Sequence, residues 1–277
     1  MAVTGSGYFV KIVFVGGGNM AAALIGGMLQ QGARPGDLHV IDVSASARDR
    51  FSELDVSAHA RWDDGVHADV VVFAVKPQNM REVVTGVKSK CRTALVISIA
   101  AGIRCADVGR WLGGHERIAR VMPNTPALIG AGVSGIFALP GVGADDRKAA
   151  EDIIGAAGKT VWFEREAQLD AVTAVSGSGP GYVFYFIEAL EEAAIELGID
   201  AQAARLLAIE TFRGAAALAA SSTDGPAELR ARVTSRAGTT ERALDYMESE
   251  NVKSRIVEAV KRAELRAREL GDEFGHD

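Results

Sequence analysis

Short apolar runs alternate with segments of helical periodicity through the first half of the chain. Each run is rich in β-branched residues and has the length of a strand. We predict strands at 10–15, 38–43, 70–75, 94–99, 117–121, 132–138 and 159–163, and helices among them at 21–31 and 145–157. The run at 70–75 has no polar position, which is typical of a parallel strand buried on both faces. This alternation predicts an α/β fold built on a Rossmann-type doubly wound sheet.

The pattern changes near Asp170, where strand-like runs end and periods near 3.6 residues take over. One face of a helix over 182–197 is apolar, with Val183, Ile187, Leu190, Ala194 and Leu197. The segment 252–270 repeats this spacing. We therefore predict a sheet domain over 1–165, followed by an all-α domain over 166–277.

A helix predicted over 203–220 is apolar over most of its surface and contains eight alanines. Such a helix must be covered, and a domain of this size leaves little else to cover it. We expect helices of a second copy of the chain to do so, which predicts an all-α dimerisation domain and a homodimer or a larger homo-oligomer built of dimers.

The charge and the cysteine content limit which kinds of ligand and partner the chain is expected to bind. Thirty basic and 36 acidic residues give a net charge of -6, so no bulk basic field attracts nucleic acid and a small-molecule substrate is expected. Cys91 and Cys105 have no partners at metal-ligand spacing, so no metal site is predicted. Residues 1–7 lack the basic start of a secretion signal and no membrane span is expected, which favours the cytoplasm.

The sharpest local pattern is a strand that enters three glycines and then a helix. Gly16, Gly18 and Ala21 match G-x-G-x-x-[GA] in the context that the motif requires. Gly16 permits a sharp turn, Gly18 permits close approach of a pyrophosphate, and Ala21 lets the helix lie near the strand. The alternative is a flexible glycine turn with no ligand. We favour a dinucleotide site in the 1–165 domain.

The choice of nicotinamide cofactor stays open on these patterns. Asp42 ends the second strand and suits the ribose hydroxyls of NAD, whereas Ser44, Ser46 and Arg48 suit the additional phosphate of NADP. Lys76, followed by Pro77, lies where the strand at 70–75 leaves the sheet. It is either a ligand contact or a solvated strand end.

Two loops of the second half precede helices and are rich in small and hydroxyl residues, at 175–180 and 233–240. The simpler interpretation is that their hydroxyls cap helices. The functional one is that a helix start offers free N–H donors to a substrate carboxylate.

Five segments in this order resemble the Δ1-pyrroline-5-carboxylate reductase family: Gly18-Asn19-Met20-Ala21, Ala74-Val75-Lys76-Pro77, 120–126, 176–180, and 233–235 with 238–240. The resemblance implies an oxidoreductase that transfers a hydride from NADPH, or NADH, to the cyclic imine of pyrroline-5-carboxylate and forms L-proline, the last step of proline biosynthesis. One departure is Arg236-Ala237, where the family usually has Pro-Gly.

The resemblance also implies roles for individual residues. Thr240 would be catalytic, facing the ring nitrogen and orienting or relaying its proton. Substrate contacts would come from Val233, Ser235, Gly238, Thr239, Thr240 and Ser178, with Ser176 helping Ser178 to shape the junction of the two domains. Cofactor contacts would come from Gly16, Gly18, Asn19, Met20, Ala21, Ser44, Ala74, Val75, Lys76, Pro77 and Asn124, with Thr125 beside them. In that family the active site forms where the cofactor domain of one subunit meets helices of its partner.

Three rival functions remain. A β-hydroxyacid dehydrogenase would ordinarily carry a catalytic lysine on the first long helix of the second domain, but 182–197 contains none. A reductase acting on another cyclic imine is a nearer alternative. A regulatory protein that binds the cofactor without catalysis would not need Ser235, Gly238 and Thr240.

Overall fold

The computed structural model describes residues 10–275. The expectation about a secretion signal at 1–7 lies outside these residues. The eight strands of the sheet are β1 (Ile12–Val15), β2 (Leu38–Ile41), β3 (Ser57–His59), β4 (Val70–Phe73), β5 (Leu95–Ser98), β6 (Ile118–Met122), β7 (Gly132–Ala138) and β8 (Gly158–Trp162). Their spatial order is β3-β2-β1-β4-β5-β6-β7-β8. The predicted doubly wound α/β sheet is confirmed.

The chain reverses its direction of travel across the sheet between β1 and β4. These two strands pair in parallel, with Ile12 opposite Val70 and Val15 opposite Phe73. The next residues of the two strands therefore emerge side by side: Gly16 after β1 and Ala74 after β4. A crevice at such a switch point is where open α/β sheets bind ligands.

Only the β6–β7 pair is antiparallel among the described strands. The connection between them, 123–131, contains a 3-10 turn at Thr125–Ile129. A parallel crossover needs about a dozen residues or more, so this shorter link turns the chain back beside itself. The strand itself was predicted, but its direction was not.

Helices cover both faces of the sheet. They are α1 (Asn19–Gln30), α2 (Ala45–Ser52), α3 (Met80–Gly86), α4 (Cys105–Trp111), α5 (Ala144–Gly155) and α6 (Gln168–Val172). Phe14 packs with the cluster under α1 and α5, whereas Val13 and Val15 pack with the cluster under α3 and α4. Because successive strand residues point to opposite faces, both must be apolar, which explains the uninterrupted runs. The sequence analysis missed β3, α2, α3 and α4, which are short and carry weak periodicity.

The second half is helical, as predicted. A π-helix at Thr173–Gly177 leads into α7 (Gly179–Glu196), α8 (Ala201–Ser221), α9 (Pro226–Arg232), α10 (Thr239–Ser249) and α11 (Val252–Gly275). The chain forms two compact units, one made of the described residues up to Ser178 together with 263–275, and the other of 179–262. The predicted boundary between the sheet domain and the helical domain, at 165/166, stays a prediction. The two compact units divide after Ser178.

The last turns of α11 pack within the first unit. Phe274 contacts the apolar cluster under α3 and α4, and Arg110 donates a hydrogen bond of 2.9 Å to the Gly275 carbonyl. The all-α domain over 166–277 stays a prediction, and by compactness the end of α11 groups with the sheet unit. Phe274 is partly buried against the core of that unit.

Within a single chain, α8 buries only Ala204 and Ala208, while Leu206 and Leu207 are more than half exposed. The helix therefore has the apolar, uncovered surface that its sequence predicts. No helix in the described part of the chain has both the length and the hydrophobicity needed to cross a membrane.

Candidate active site

The glycine loop joins β1 to α1 and is shaped by the segment after β4. Gly16 has φ +103°, and a Cβ built there would lie 2.7 Å from the carbonyl carbon and oxygen of Ala74. No other residue fits that position without moving the backbone. Gly18, by contrast, has φ -70° and open space around it, and its N-cap position makes no side-chain cap bond. The start of α1 is thus left open to an anion.

A groove of about 830 Å³ lies at this carboxyl edge of the sheet. The predicted cofactor residues that line it are Gly16, Gly18, Ala74, Val75 and Lys76, together with Asp42. Asn19, Met20, Ala21, Ser44, Pro77 and Asn124 do not line it. Ala21 is fully buried, Met20 packs against the core, and Asn19 accepts a hydrogen bond from Arg50 at 3.2 Å.

Asp42, at the wall of the groove, is held by backbone hydrogen bonds. Its carboxylate accepts the Gly17 N–H at 2.7 Å and the Ser44 N–H at 2.8 Å. Arg48 donates to the carbonyls of Asp42 and Val43, both at 2.8 Å. Oδ2 of Asp42 therefore fastens the end of β2 to the glycine loop, while Oδ1 holds the turn into α2. Exposed hydroxyls of Ser44 and Ser46 lie 3.0 Å apart at the start of α2.

Asn124 is buried beyond the end of β6, and its role is partly structural. Its Oδ1 accepts the Val133 N–H at 2.9 Å, which fastens the connecting loop to the start of β7. The amide N–H₂ group and the second lone pair of Oδ1 are left for a ligand. Lys76, in contrast, is exposed at the edge of the groove.

The loop before α10 has a strained backbone. Ala237 has φ +57°, in the left-handed region that favours glycine, and its N–H donates to Glu241 Oε2 at 2.5 Å. The Gly238 N–H donates to the Ser235 carbonyl at 3.0 Å. A Cβ on Gly238 would lie 2.9 Å from the Ser235 carbonyl oxygen, which a side-chain rotation cannot relieve, so the close turn favours glycine there.

Gly238 is the N-cap of α10 and, lacking a side chain, provides no cap. Thr239 and Thr240 form the first turn of the helix, where backbone N–H groups have no intrahelical acceptor. Val233 and Arg236 are exposed in the same loop. Ala237, which stands where the family usually has glycine, therefore has a backbone conformation that favours glycine.

Two family models match the chain. Residues 166–270 match the model described as pyrroline-5-carboxylate reductase dimerisation, and residues 11–102 match the one described as NADP oxidoreductase, coenzyme F420-dependent. The pyrroline-5-carboxylate reductase of Pseudomonas aeruginosa is 40% identical over 96% of this chain and 98% of its own length. That of Haemophilus influenzae is 39% identical over 94% and 97%.

The chain belongs to the pyrroline-5-carboxylate reductase family. It is an oxidoreductase that acts on a C=N bond. Its fold matches a solved pyrroline-5-carboxylate reductase of Coxiella burnetii with a TM-score of 0.90 at 39% identity, covering 95% of this chain and 99% of that one. The Plasmodium falciparum enzyme, solved with NADP bound, matches with a TM-score of 0.82 at 28% identity, covering 95% and 98%. These matches favour pyrroline-5-carboxylate reductase over the rival functions.

The reductase has groove residues that the sequence analysis missed. Arg61 and Trp62 lie just after β3, and Asn79 ends the turn after Pro77. Since β3 has no apolar face, nothing in the local pattern marked Arg61 and Trp62 as lying at the edge of the sheet. The π-helix at Thr173–Gly177 was also missed, although the serines and glycines around it were noted.

Neither cysteine of this reductase lines the groove. Burial raises the pKa of Cys91 to about 12, and burial with Glu166 nearby raises the pKa of Cys105 as well, so both stay thiols. No described histidine lines the groove. Among the described residues no cluster of His, Cys, Asp and Glu could hold a metal ion.

Proposed function

We propose that the reductase converts Δ1-pyrroline-5-carboxylate to L-proline with NADPH as the preferred donor. The observation that carries this proposal is the open glycine loop at the switch point of the sheet, in a chain of this family. When bound, the cofactor supplies the hydride for the imine carbon. The backbone of Gly16 and Gly18 and the start of α1 would hold its pyrophosphate.

The preference for NADPH is argued from the end of β2. Both carboxylate oxygens of Asp42 already accept a backbone N–H, from Gly17 and from Ser44, so each oxygen has one acceptor site left for a ribose hydroxyl. The exposed Ser44 and Ser46 hydroxyls suit a phosphate, and Arg48 adds positive charge beside them. Lys76, Pro77 and Asn124 would border the nicotinamide half.

Substrate recognition is assigned to the loop before α10. Backbone N–H groups at Gly238 and Thr239, with the Ser235 hydroxyl, would hold the carboxylate, aided by the positive end of the helix dipole. The Thr240 hydroxyl would hold a proton at the ring nitrogen while the imine carbon accepts the hydride. Because a protonated imine is already electrophilic, orientation can provide much of the acceleration and no strong base is needed.

A homodimer is the proposed assembly, and the cytoplasm the proposed location. The dimerisation model covers most of the helical region, and α8 exposes Leu206 and Leu207 there. Burial of this surface by a second copy would remove apolar area from water.

Steady-state kinetics with pyrroline-5-carboxylate and each reduced cofactor test the function. We expect cofactor oxidation that depends on the imine, with a higher kcat/KM for NADPH than for NADH. Replacing Ser44 and Ser46 together by alanine should reduce that preference and leave NADH kinetics nearly unchanged. An equal loss with both cofactors would contradict the phosphate assignment.

A further inference from the structure

Hydrogen bonds among four charged side chains connect β6 with the starts of α4 and α6. Arg120, in β6, is 2% exposed and donates to Glu166 Oε1 at 3.3 Å and to Asp170 Oδ1 at 3.4 Å. The other Asp170 oxygen accepts from Arg104 at 2.8 Å. Glu166 also accepts the N–H of Cys105, the first residue of α4, at 2.7 Å. The side chains of Arg120 and Asp170 are each 2% exposed, whereas those of Arg104 and Glu166 are each 21% exposed, so a buried central pair is flanked by two partly exposed charges.

Stability alone is a weak explanation for this arrangement. Burying charges has a desolvation penalty that their mutual attraction often only offsets, and apolar residues of similar volume can replace a buried pair without loss of stability. Directional charge-assisted bonds do fix geometry, however. Asp170 can receive both arginines only when α6 lies against β6 in one register.

The register of α6 against β6 also places the later residues of both segments. Two residues beyond Arg120, Met122 ends β6, and seven residues beyond Asp170, Gly177 ends the π-helix. These two residues meet, since a Cβ on Gly177 would lie 2.6 Å from Met122 Cε. The ion pair and this contact act as two successive links between strand and helix.

The segment between Asp170 and Gly177 changes its helical pitch. The Ser178 N–H donates to the Thr173 carbonyl at 2.8 Å, the i→i+5 bond of a π-helix, and Ser176 Oγ donates to the Val172 carbonyl at 3.0 Å. Single π turns are uncommon and frequent at functional sites. Its register against Met122 sets where Pro123 to Thr125 leave β6, the loop assigned above to the nicotinamide half.

We propose that Arg120 and Asp170 are positioning residues for hydride transfer, acting by fixing the π-helix and the 123–125 loop in one register. The inference rests on the proposed function. Neither side chain touches the reacting atoms. Their effect reaches the chemistry through Met122, Gly177 and the 123–125 loop.

The test is the double variant Arg120→Met with Asp170→Leu, which replaces the buried pair by apolar side chains. Arg104 and Glu166 lose these partners but are each 21% exposed and can be hydrated, and Glu166 keeps the Cys105 N–H. The matched control is Arg117→Met with Asp146→Leu, an ion pair of 2.7 Å just before β6 begins. We expect the first variant to keep its melting temperature within a few degrees and its NADPH Kd within about threefold, while kcat falls at least about tenfold. The control should keep its kcat.

Two readouts separate positioning from a merely structural role. The deuterium isotope effect on kcat with NADPH deuterated at the transferred position should rise, because hydride transfer becomes rate-limiting. Amide hydrogen exchange without cofactor should speed up at 176–178 in the first variant and not in the control. Unchanged isotope effect and exchange in a folded variant would overturn the inference.

Gly177→Ala provides a second route if the double variant does not fold. It displaces the Met122 methyl group, the flexible end of that side chain, and leaves all four charged residues in place. We expect a rise in the isotope effect smaller than that of the double variant, with faster exchange at 176–178, and unchanged values of both would overturn the inference. If the unaltered protein fails to reduce pyrroline-5-carboxylate, the proposed function itself is wrong and this inference falls with it. The two failures are therefore distinct.

Discussion

Gly16 and Gly18 stand two residues apart but have different physical roles. Gly16 is required by the fold, because its φ is +103° and the Ala74 backbone leaves no room for a Cβ. Gly18 has ordinary backbone angles and free space, so the fold accepts a side chain there. The motif predicted both glycines, but only their surroundings distinguish a folding requirement from a binding one.

Gly18→Val should therefore abolish tight cofactor binding without unfolding the protein. The added side chain would occupy the space where the pyrophosphate approaches, and we expect the NADPH Kd to rise at least about tenfold. Fluorescence titration with NADPH measures it. The control is Gly143→Val, since Gly143 is also an uncrowded N-cap glycine with φ -73° but lies outside the groove. Unchanged affinity in Gly18→Val would refute the loop assignment.

Thr240→Ala should lower kcat and leave the NADPH Kd within about threefold. The reason is that its hydroxyl is assigned to the ring nitrogen of the substrate and not to the cofactor. A decrease in kcat of about 10²-fold is the scale of one general acid–base contact. Thr240→Ser, which keeps a hydroxyl, should retain most of the activity. Equal loss of NADPH affinity would contradict the role.

Ala237→Gly should stabilise the protein by up to about 1 kcal/mol. Ala237 holds a left-handed φ of +57° that glycine adopts without the steric penalty of a Cβ. Urea unfolding at fixed protein concentration measures the free energy. Asn251→Gly is the matched control, because Asn251 has φ +59° but asparagine tolerates that region better, so its gain should be smaller. A loss of stability on Ala237→Gly would mean that the loop is not strained.

The long helices and the buried strands lie where the hydrophobic periodicity predicts them, whereas the short elements form only through tertiary contacts. The helices at 179–196 and 201–221 and the buried strands appear where periodicity placed them, within a few residues. β3 has three residues and α4 seven, and neither carries a full repeat of its period. β3 forms because its residues pair in parallel with His39, Val40 and Ile41 of β2. No local signal could have marked it.

The end of α11 is an element whose partner is distant in sequence. Phe274 packs against the apolar cluster under α3 and α4 and lies beside Gly102. We expect Phe274→Ala to lower the free energy of unfolding by about 1–3 kcal/mol, less than for a fully buried ring. Asp272→Ala, at an exposed position of the same turn, should change it by under about 0.5 kcal/mol. Denaturant unfolding followed by circular dichroism compares them, and equal effects would deny that the ring anchors the helix.

At the scale of the whole molecule, a single chain leaves an apolar surface on α8 uncovered. In α8, Leu206 is 62% exposed and Leu207 53% exposed. Leu206→Lys should weaken self-association at least about tenfold, because a charge would be buried without a partner. Sedimentation velocity at micromolar concentration measures it. Leu54→Lys, an exposed leucine just beyond α2, is the control and should leave the dimer intact. A monomer in the unaltered protein would end the dimer proposal.

The alternation of apolar runs determined the sheet, its layers and the glycine loop, because these depend on periodicity and on backbone freedom that neighbouring residues carry. The five motifs in order were specific enough to indicate the family. The antiparallel turn into β7, the contacts that occupy Asp42, the charges linking β6 to α6 and the π-helix could not be derived in that way. The antiparallel turn and the π-helix are local in sequence, but the hydrophobic pattern of their residues does not distinguish them from other turns and helices. The contacts of Asp42 and the linked charges depend on residues far apart in the chain that meet only after folding, such as Gly17 with Asp42 or Arg120 with Asp170, and no local pattern records such a meeting.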